Sequence, residues 1–201
     1  VDSYSLPPGA ENEFFGKHTT HVSSADAEGN WVAITTTLNT SFGSKVTIPG
    51  TGVLMNNQMD DFAAQPGVPN AFGLVSAEAN AVAPGKRPLS SMSPTVVLKD
   101  GSPVLTVGAA GGPTIISQVV QVLINHLGLN MSIEDAMAAT RVHHQWRPNR
   151  VYIDGFATDN LKKGLEDKGH ERKSWPPVGA TQASAYDDGK VGAVTEPRLQ
   201  L

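Results

Sequence analysis

A threonine at the head of a strand becomes a complete catalytic unit if the chain is cut before it, and Gly16-Lys17-His18-Thr19-Thr20-His21-Val22-Ser23 offers one. Thr19 would then carry a hydroxyl and a free α-amine on a single residue. Such an amine has a pKa of about 8, close to working pH, which suits a general base acting on the neighbouring hydroxyl. The chemistry of that pair is acyl transfer, which also needs donors for an oxyanion and a cradle for the charged end of a substrate. Gly111-Gly112, read between a strand and a helix, lets backbone N–H groups approach a developing negative charge, and the helix N-terminus adds a favourable potential.

The elements around these residues must hold them together. Two β-rich runs, Thr20 to Val22 and Trp31 to Leu38, flank Asp26-Ala27-Glu28-Gly29-Asn30, a hairpin loop by composition. A hairpin symmetric about Glu28 pairs Thr19 with Thr37 and His21 with Thr35, and opposed residues share a face with Cβ atoms about 5 Å apart. This register predicts a second hydroxyl, that of Thr37, beside Thr19, with Asn39 just beyond. A second hairpin is predicted from Thr95-Val96-Val97-Leu98 and Val104-Leu105-Thr106-Val107, turning at Asp100-Gly101. After Gly111-Gly112, Pro113 opens a helix with Ile115, Ile116, Val119, Val120, Leu123, Ile124 and Leu127 at helical spacing, a stripe that wants a sheet to cover it. Ser132 with Asp135 predicts the capped start of another helix, Asp159 to Lys168 a third stopped by Gly169, and Ala183 to Tyr186 with Val191 to Val194 a last hairpin turning at Asp188-Gly189. Strands, then helices, then strands give an α+β architecture with helices on sheets.

Composition narrows the partners. At 201 residues and 39% hydrophobic the chain can build one core, and no repeat or low-complexity tract points to a second domain. A net charge of -4 with 17% charged residues gives no basic footprint, so nucleic acid and anionic membrane are disfavoured and a small-molecule substrate fits better. The absence of cysteine excludes disulfides, thiolate metal sites and a Cys nucleophile. No run approaches the roughly 20 apolar residues that span a bilayer, and no charged start with an apolar stretch marks a signal peptide, although one could lie upstream of residue 1. His143-His144 does not read as a metal site, because adjacent side chains diverge and no acidic or Cys partner is suitably spaced. Neither a metal nor another cofactor is expected.

Thr19-Thr20-His21, Thr37-Leu38-Asn39-Thr40, Leu54-Met55-Asn56-Asn57-Gln58-Met59-Asp60-Asp61-Phe62, Pro66-Gly67-Val68-Pro69-Asn70, Lys86-Arg87-Pro88-Leu89-Ser90-Ser91-Met92-Ser93-Pro94, Gly111-Gly112 and His143-His144-Gln145-Trp146 follow one another in a distinctive order. In that order and spacing the chain, from Thr19 to about Arg198, resembles the small subunit of γ-glutamyltranspeptidase. The resemblance implies the four-layer α/β/β/α sandwich of N-terminal-nucleophile hydrolases, one half supplied by 19–201 and completed by a large subunit. Residues 1–18, with Pro7-Pro8-Gly9 and little apolar periodicity, read as a linker, and on the resemblance as the tail of that large subunit, cut between His18 and Thr19. It further implies Thr37 as a partner that tunes Thr19, Gly111 and Gly112 as the oxyanion hole, and a loop from Pro66 to Phe72 as a lid. Asn39, Gln58 and Asp61 would bind the glutamyl amino end, and Ser90 and Ser91 the carboxylate.

The implied reaction moves a γ-glutamyl group from glutathione or a related donor to water, an amino acid or a peptide through an ester on Thr19, in a periplasmic or secreted setting. Many bacterial relatives carry tyrosine at the position of Phe72, so a lid hydroxyl is missing here. The family's arginine for the donor carboxylate belongs to the large subunit. The alternatives are a related glutaryl or cephalosporin acylase, a polyglutamate transpeptidase, and an inert unprocessed half that only pairs with a large subunit. Asp61 argues against glutaryl substrates, which have no α-amine to meet it.

Overall fold

The computed structural model describes residues 19–175, 179–187 and 189–199; the tail 1–18, including His18, and Asp188 of the last turn lie outside them. The first hairpin joins β1 (Thr19–Ala25) to β2 (Trp31–Thr37) in antiparallel register, with Thr19 opposite Thr37 and His21 opposite Thr35, as the loop arithmetic predicts. Its side chains alternate. Thr19, His21, Ser23, Thr35 and Thr37 turn inward, while Thr20, Val22, Val32 and Ile34 face out.

A four-stranded sheet packs against the hairpin. It runs in the order β3 (Thr95–Lys99), β4 (Ser102–Ala110), β8 (Ala180–Asp187) and β9 (Lys190–Val194), with β1 and β2 lying across β4 and β8. Strand β4 is buried from Leu105 to Ala110, because it is covered on both faces. Leu105, Val107 and Ala109, with Ala183 and Ala185 of β8, meet Ile115, Val119 and Val122 of α1 (Thr114–Leu123); of the predicted stripe Ile115, Val119 and Leu123 cover the sheet, whereas Ile116, Val120, Ile124 and Leu127 stay exposed, because helical spacing alone does not say which edge of a wide apolar face is buried. The intervening residues of β4 face the hairpin. α1 widens into a π turn over Ile124–Gly128. α2 (Ile133–Ala138) adds Ile133 and Met137 to the core, and Ser132 caps it by accepting from the Asp135 amide at 3.0 Å.

A third sheet, which sequence patterning did not reveal, is formed by β5 (Val142–His143), β6 (Val151–Ile153) and β7 (Arg172–Ser174). β6 and β7 run parallel, with α3 (Asp159–Asp167) connecting them. α3 ends at Asp167 with Lys168 as its cap, and Gly169 takes the left-handed φ of 82° that stops it.

The two main sheets approach closely because Gly108 has no side chain. A Cβ built there would collide with the His21 imidazole at Cε1 and Nδ1. The ring cannot swing away easily, since Nδ1 pairs with Thr35 Oγ1 at 2.7 Å and Nε2 with Ser23 Oγ at 3.0 Å. Gly108→Ala is therefore expected to destabilise the full-length protein by about 1 to 3 kcal/mol through overpacking, read as a fall in Tm. The double variant Gly108→Ala, His21→Ser should recover part of that loss, and an unchanged Tm in the single variant would contradict the contact.

Candidate active site

Thr19 stands at the open end of β1, and its Oγ1 donates to Thr37 Oγ1 at 3.1 Å. The chain then turns at Asn39, which has φ 84° in the left-handed region that asparagine tolerates, and the Asn39 amide donates to Thr37 Oγ1 at 2.9 Å. Thr37 thus anchors both the Thr19 hydroxyl and the turn carrying Asn39. Asn57 locks that turn to the next loop: its Oδ1 accepts from the Thr40 amide, its Nδ2 donates to Thr40 Oγ1 and Asp60 Oδ2, and its carbonyl accepts from Asn39 Nδ2.

A cleft opens beside Thr19, lined by Thr37, Asn39, Asp61, Phe72, Ser90, Ser91 and Gly112, with Asn70, Leu74, Leu89, Met92, Pro113 and Ile115 completing its walls. Most of the residues singled out from the sequence converge here. Gln58 and Gly111 lie outside the lining. Gln58 sits behind Thr37, donating from Nε2 to its carbonyl at 3.4 Å, while its Oε1 is buried without a hydrogen-bond partner among the described residues. Pro66 lies at the start of the loop whose far end, Asn70 to Leu74, forms one wall.

Asp61 ends a short 3-10 turn, Gln58–Asp61. Burial pushes its carboxyl up to about 6, against a hydrogen bond from Asn39 that favours the charged form and with the Asp60 charge adding to the rise. Asn80, which the sequence reading missed, joins the two polar arms: its Nδ2 donates to the Asp61 carbonyl at 2.8 Å and its Oδ1 accepts from the Leu89 amide at 3.0 Å. No spacing signal marks an asparagine of this kind in a polar loop.

Gly111 and Gly112 form the link from β4 into α1, with φ of 131° and 55°. A side chain at Gly111 would strike Thr114 Oγ1 at 2.6 Å and Gln118 Nε2 at 2.9 Å. Those two atoms shape the turn, since Thr114 Oγ1 donates to the Gly111 carbonyl at 2.7 Å and Gln118 Nε2 to the Ala110 carbonyl at 3.0 Å. Gln118 Oε1 in turn accepts from Thr181 Oγ1 and from Arg141, whose Nη1 meets Glu196 Oε2 at 2.6 Å. Arg198 closes the cluster on Glu196 Oε1 at 2.9 Å and Asp154 Oδ2 at 2.7 Å. Burial alone would raise the Glu196 carboxyl, but the Arg141 charge and hydrogen bonds from Arg141, Thr181 and Arg198 outweigh it and hold the group below the usual range. No local pattern marks this ion cluster, because its members are far apart along the chain.

His143 is buried, with Nδ1 on Ser117 Oγ at 2.7 Å and Nε2 on Gln145 Oε1 at 3.0 Å, so both ring nitrogens already have protein partners. His144 points elsewhere, to Asn149 Oδ1 at 3.1 Å, as adjacent side chains must.

A threonine-headed hairpin stacked on a larger sheet, with that sheet's other face under a helix, is the α+β arrangement of N-terminal-nucleophile hydrolases. The family model for gamma-glutamyltranspeptidase matches residues 5–200, and the chain belongs to that family. It is 45% identical over 198 residues to the glutathione hydrolase proenzyme of Escherichia coli K12, covering 98% of this chain and 34% of the relative. The corresponding proenzyme of Pseudomonas aeruginosa is also 45% identical, over 185 residues, with 90% of this chain and 33% of the relative covered. The chain thus spans about a third of the length of these curated relatives. A crystal structure of a threonine-to-alanine mutant of Helicobacter pylori gamma-glutamyltranspeptidase matches with TM-score 0.84 and 43% identity, over 89% of this chain and 99% of that one. The cephalosporin acylase of Bacillus halodurans matches with TM-score 0.75 at 25% identity, over 89% of this chain and 32% of that one.

The raised Asp61 carboxyl gives a testable titration. Because its folded pKa lies above the unfolded value of about 3.9, its contribution to folding is fully present below that value and is lost as pH rises through about 6. Side-chain NMR should place the midpoint near pH 6, and Asn39→Ala should move it higher by removing a hydrogen bond to the charged form. A midpoint at the ordinary aspartate value would contradict the buried setting.

Proposed function

We propose that this chain is the catalytic part of a γ-glutamyltransferase, or glutathione hydrolase, with Thr19 as its nucleophile. The observation that carries the reading is the Thr19 hydroxyl, hydrogen-bonded to Thr37 at 3.1 Å and facing a cleft that also holds Asp61, Ser90, Ser91 and Gly112. The first step is self-cleavage. Thr19 Oγ1 attacks the carbonyl carbon of His18, the acyl group shifts from nitrogen to oxygen, and water opens the ester to leave a carboxylate on His18 and a free amine on Thr19.

In turnover, that amine takes the Thr19 hydroxyl proton as Oγ1 attacks the γ-carbonyl of the donor. Backbone N–H groups at Gly111 and Gly112 stabilise the oxyanion, and the ammonium returns its proton to the leaving amine. Water, an amino acid or a peptide then takes the γ-glutamyl group from the ester, and no cofactor is needed. Asp61 and Asn39 receive the donor's α-ammonium, with Gln58 Oε1 as a further buried acceptor, and Ser90 and Ser91 receive its carboxylate. Asp61 favours an amine-bearing donor over a glutaryl one.

The partner is a large subunit from the same precursor, with residues 1–18 as its tail and 19–201 as the catalytic domain. The exposed outer face of the hairpin supports this: Val22, Val32 and Ile34 are 54%, 44% and 54% exposed on a two-stranded sheet, which is marginal by itself. The setting is periplasmic or secreted, as in the family resemblance, which fractionation of cells making the full precursor would test. No helix among the described residues is long and apolar enough to cross a membrane.

Intact mass and N-terminal sequencing of the full-length precursor test the first step. The wild type should yield a chain beginning at Thr19, Thr19→Ala should stay uncut, and cleavage of that variant at the same bond in a protease-deficient host would overturn self-processing. Thr37→Val keeps the shape and removes the hydroxyl, so cleavage and turnover should slow by roughly tenfold to a hundredfold, for a lost orienting bond of about 1 to 3 kcal/mol.

Asp61→Ala removes one partner of a buried charge pair, at a cost of about 3 to 5 kcal/mol, and should lower kcat/KM for γ-glutamyl donors by a factor of a few hundred or more. Glutaryl analogues should lose far less. For the amine-bearing donor, kcat/KM should fall as pH drops through about 6, where Asp61 becomes neutral. Equal losses on both substrate classes would remove Asp61 from the amine site.

A further inference from the structure

The motif His143-His144-Gln145-Trp146 takes no part in the chemistry above, yet its hydrogen bonds end on the cleft. Phe72, Asn70 and Leu74 form one wall, and the Phe72 carbonyl accepts from Gln145 Nε2 at 3.3 Å. The same nitrogen donates to the Arg147 carbonyl at 3.3 Å. Both partners are carbonyls, which can only accept, so the side-chain amide has one possible orientation and its Oε1 must face His143. That oxygen needs a donor, so His143 carries its proton on Nε2, and the unprotonated Nδ1 accepts from Ser117 Oγ at 2.7 Å. The polarity of the whole chain is therefore fixed from its Phe72 end. Burial lowers the His143 pKa, in keeping with a ring that carries a single proton, and Tyr152 and Trp175 pack beside it at ring-centre distances of 6.1 and 5.6 Å.

The other end of the chain matters as much. Ser117 lies on α1, the helix that begins at the Gly111-Gly112 turn, and Ile115 of the same helix lines the cleft floor. Gln121 on α1 also grips β5, donating from Nε2 to the Val142 carbonyl at 2.8 Å and accepting from the Val142 amide at 2.9 Å. Within the wall, Asn70 Oδ1 accepts from the Phe72 and Leu74 amides at 3.0 Å each, which gives the turn its shape while leaving the Phe72 carbonyl for Gln145.

We infer that Gln145 is a positioning residue, held at its Oε1 by His143, that fixes the Phe72 wall at a set distance from the helix bearing the glycine turn and so determines which donors the cleft admits. Only the kinetic consequence rests on the γ-glutamyl reading. The fixing of the wall stands on geometry alone.

Hydrogen exchange of the processed full-length protein separates the two. In Gln145→Met the amides of residues 70–76 should exchange about tenfold faster, as expected for one lost hydrogen bond, with β1, β2 and β4 unchanged. His143→Leu should match Gln145→Met, whereas His143→Gln, which keeps a donor toward Gln145, should stay near wild type. KM for γ-glutamyl-p-nitroanilide should rise by a similar factor, with kcat changed less than about twofold. Wild-type exchange at 70–76 in Gln145→Met overturns the inference, as does acceleration spread equally over β1 and β4, which marks a general loss of stability. Faster wall exchange with an unmoved KM in an active enzyme overturns the wall's share in donor selection. Faster wall exchange in a protein whose wild type turns over no γ-glutamyl donor upholds the positioning role and refutes the proposed function.

Discussion

The pairing of Thr19 with Thr37 across the first hairpin is the constraint on which the rest of the site depends. Side chains in a strand alternate between faces, so a slip of one residue in this register would send both hydroxyls to the outer face. Two features hold it in place. The loop from Asp26 to Asn30 sets the count, with the Asp26 carboxylate accepting from both the backbone and the side chain of Asn30 at 2.8 Å. His21, seated on the bare backbone of Gly108, fixes how far the hairpin stands from β4, and β4 leads three residues later into the glycine turn. Thr19 and the glycine turn are thus referenced to one buried strand.

The polar walls inherit their positions from the same frame. Asn39 follows directly from β2, Asn57 binds it to the Gln58–Asp61 turn, and Asn80 binds that turn to the Ser90-Ser91 segment. On the opposite side, Glu196 near the end of the chain orders Arg141, Thr181 and, through Gln118, the carbonyls before α1. Such a cluster is costly to break, because removing one partner leaves a buried charge uncompensated. Charge burial here buttresses a turn whose own residues have no side chains.

Legibility in the sequence followed physical locality. The first hairpin and its register are readable because loop length fixes strand pairing, and the α1 helix and the Ser132 cap because their signals lie within a few residues, while which part of the α1 apolar face is buried depends on the sheet it meets. The continuation of β8 back to Ala180 was not, since Ala180, Thr181 and Gln182 include neither a β-branched hydrophobic nor an aromatic residue that would mark a strand. The strands of the third sheet have two or three residues each, too few for any period. Cleft residues were suggested by family motifs, and the asparagine clamps between them were not, because an asparagine that fastens two loops looks like one that is merely solvated. Gln58 stands beside Thr37, where its amide nitrogen holds the strand's carbonyl and its Oε1 is buried without a partner among the described residues, a placement that no spacing in the sequence shows. His143 read as a rejected metal ligand, and only the fold revealed Ser117 and Gln145 as its partners.

On the proposed mechanism the hydroxyl of Thr19 carries the transferred acyl group. Acid quenching of the processed full-length protein during turnover of a γ-glutamyl donor, followed by peptide mass spectrometry, would trap that ester. The peptide beginning at Thr19 should gain the mass of one γ-glutamyl group, fragmentation should locate it on Thr19 itself, and hydroxylamine should remove it as an ester. Turnover with the acyl group found on another residue, or with no acylated peptide under conditions where deacylation limits the rate, would contradict that mechanism.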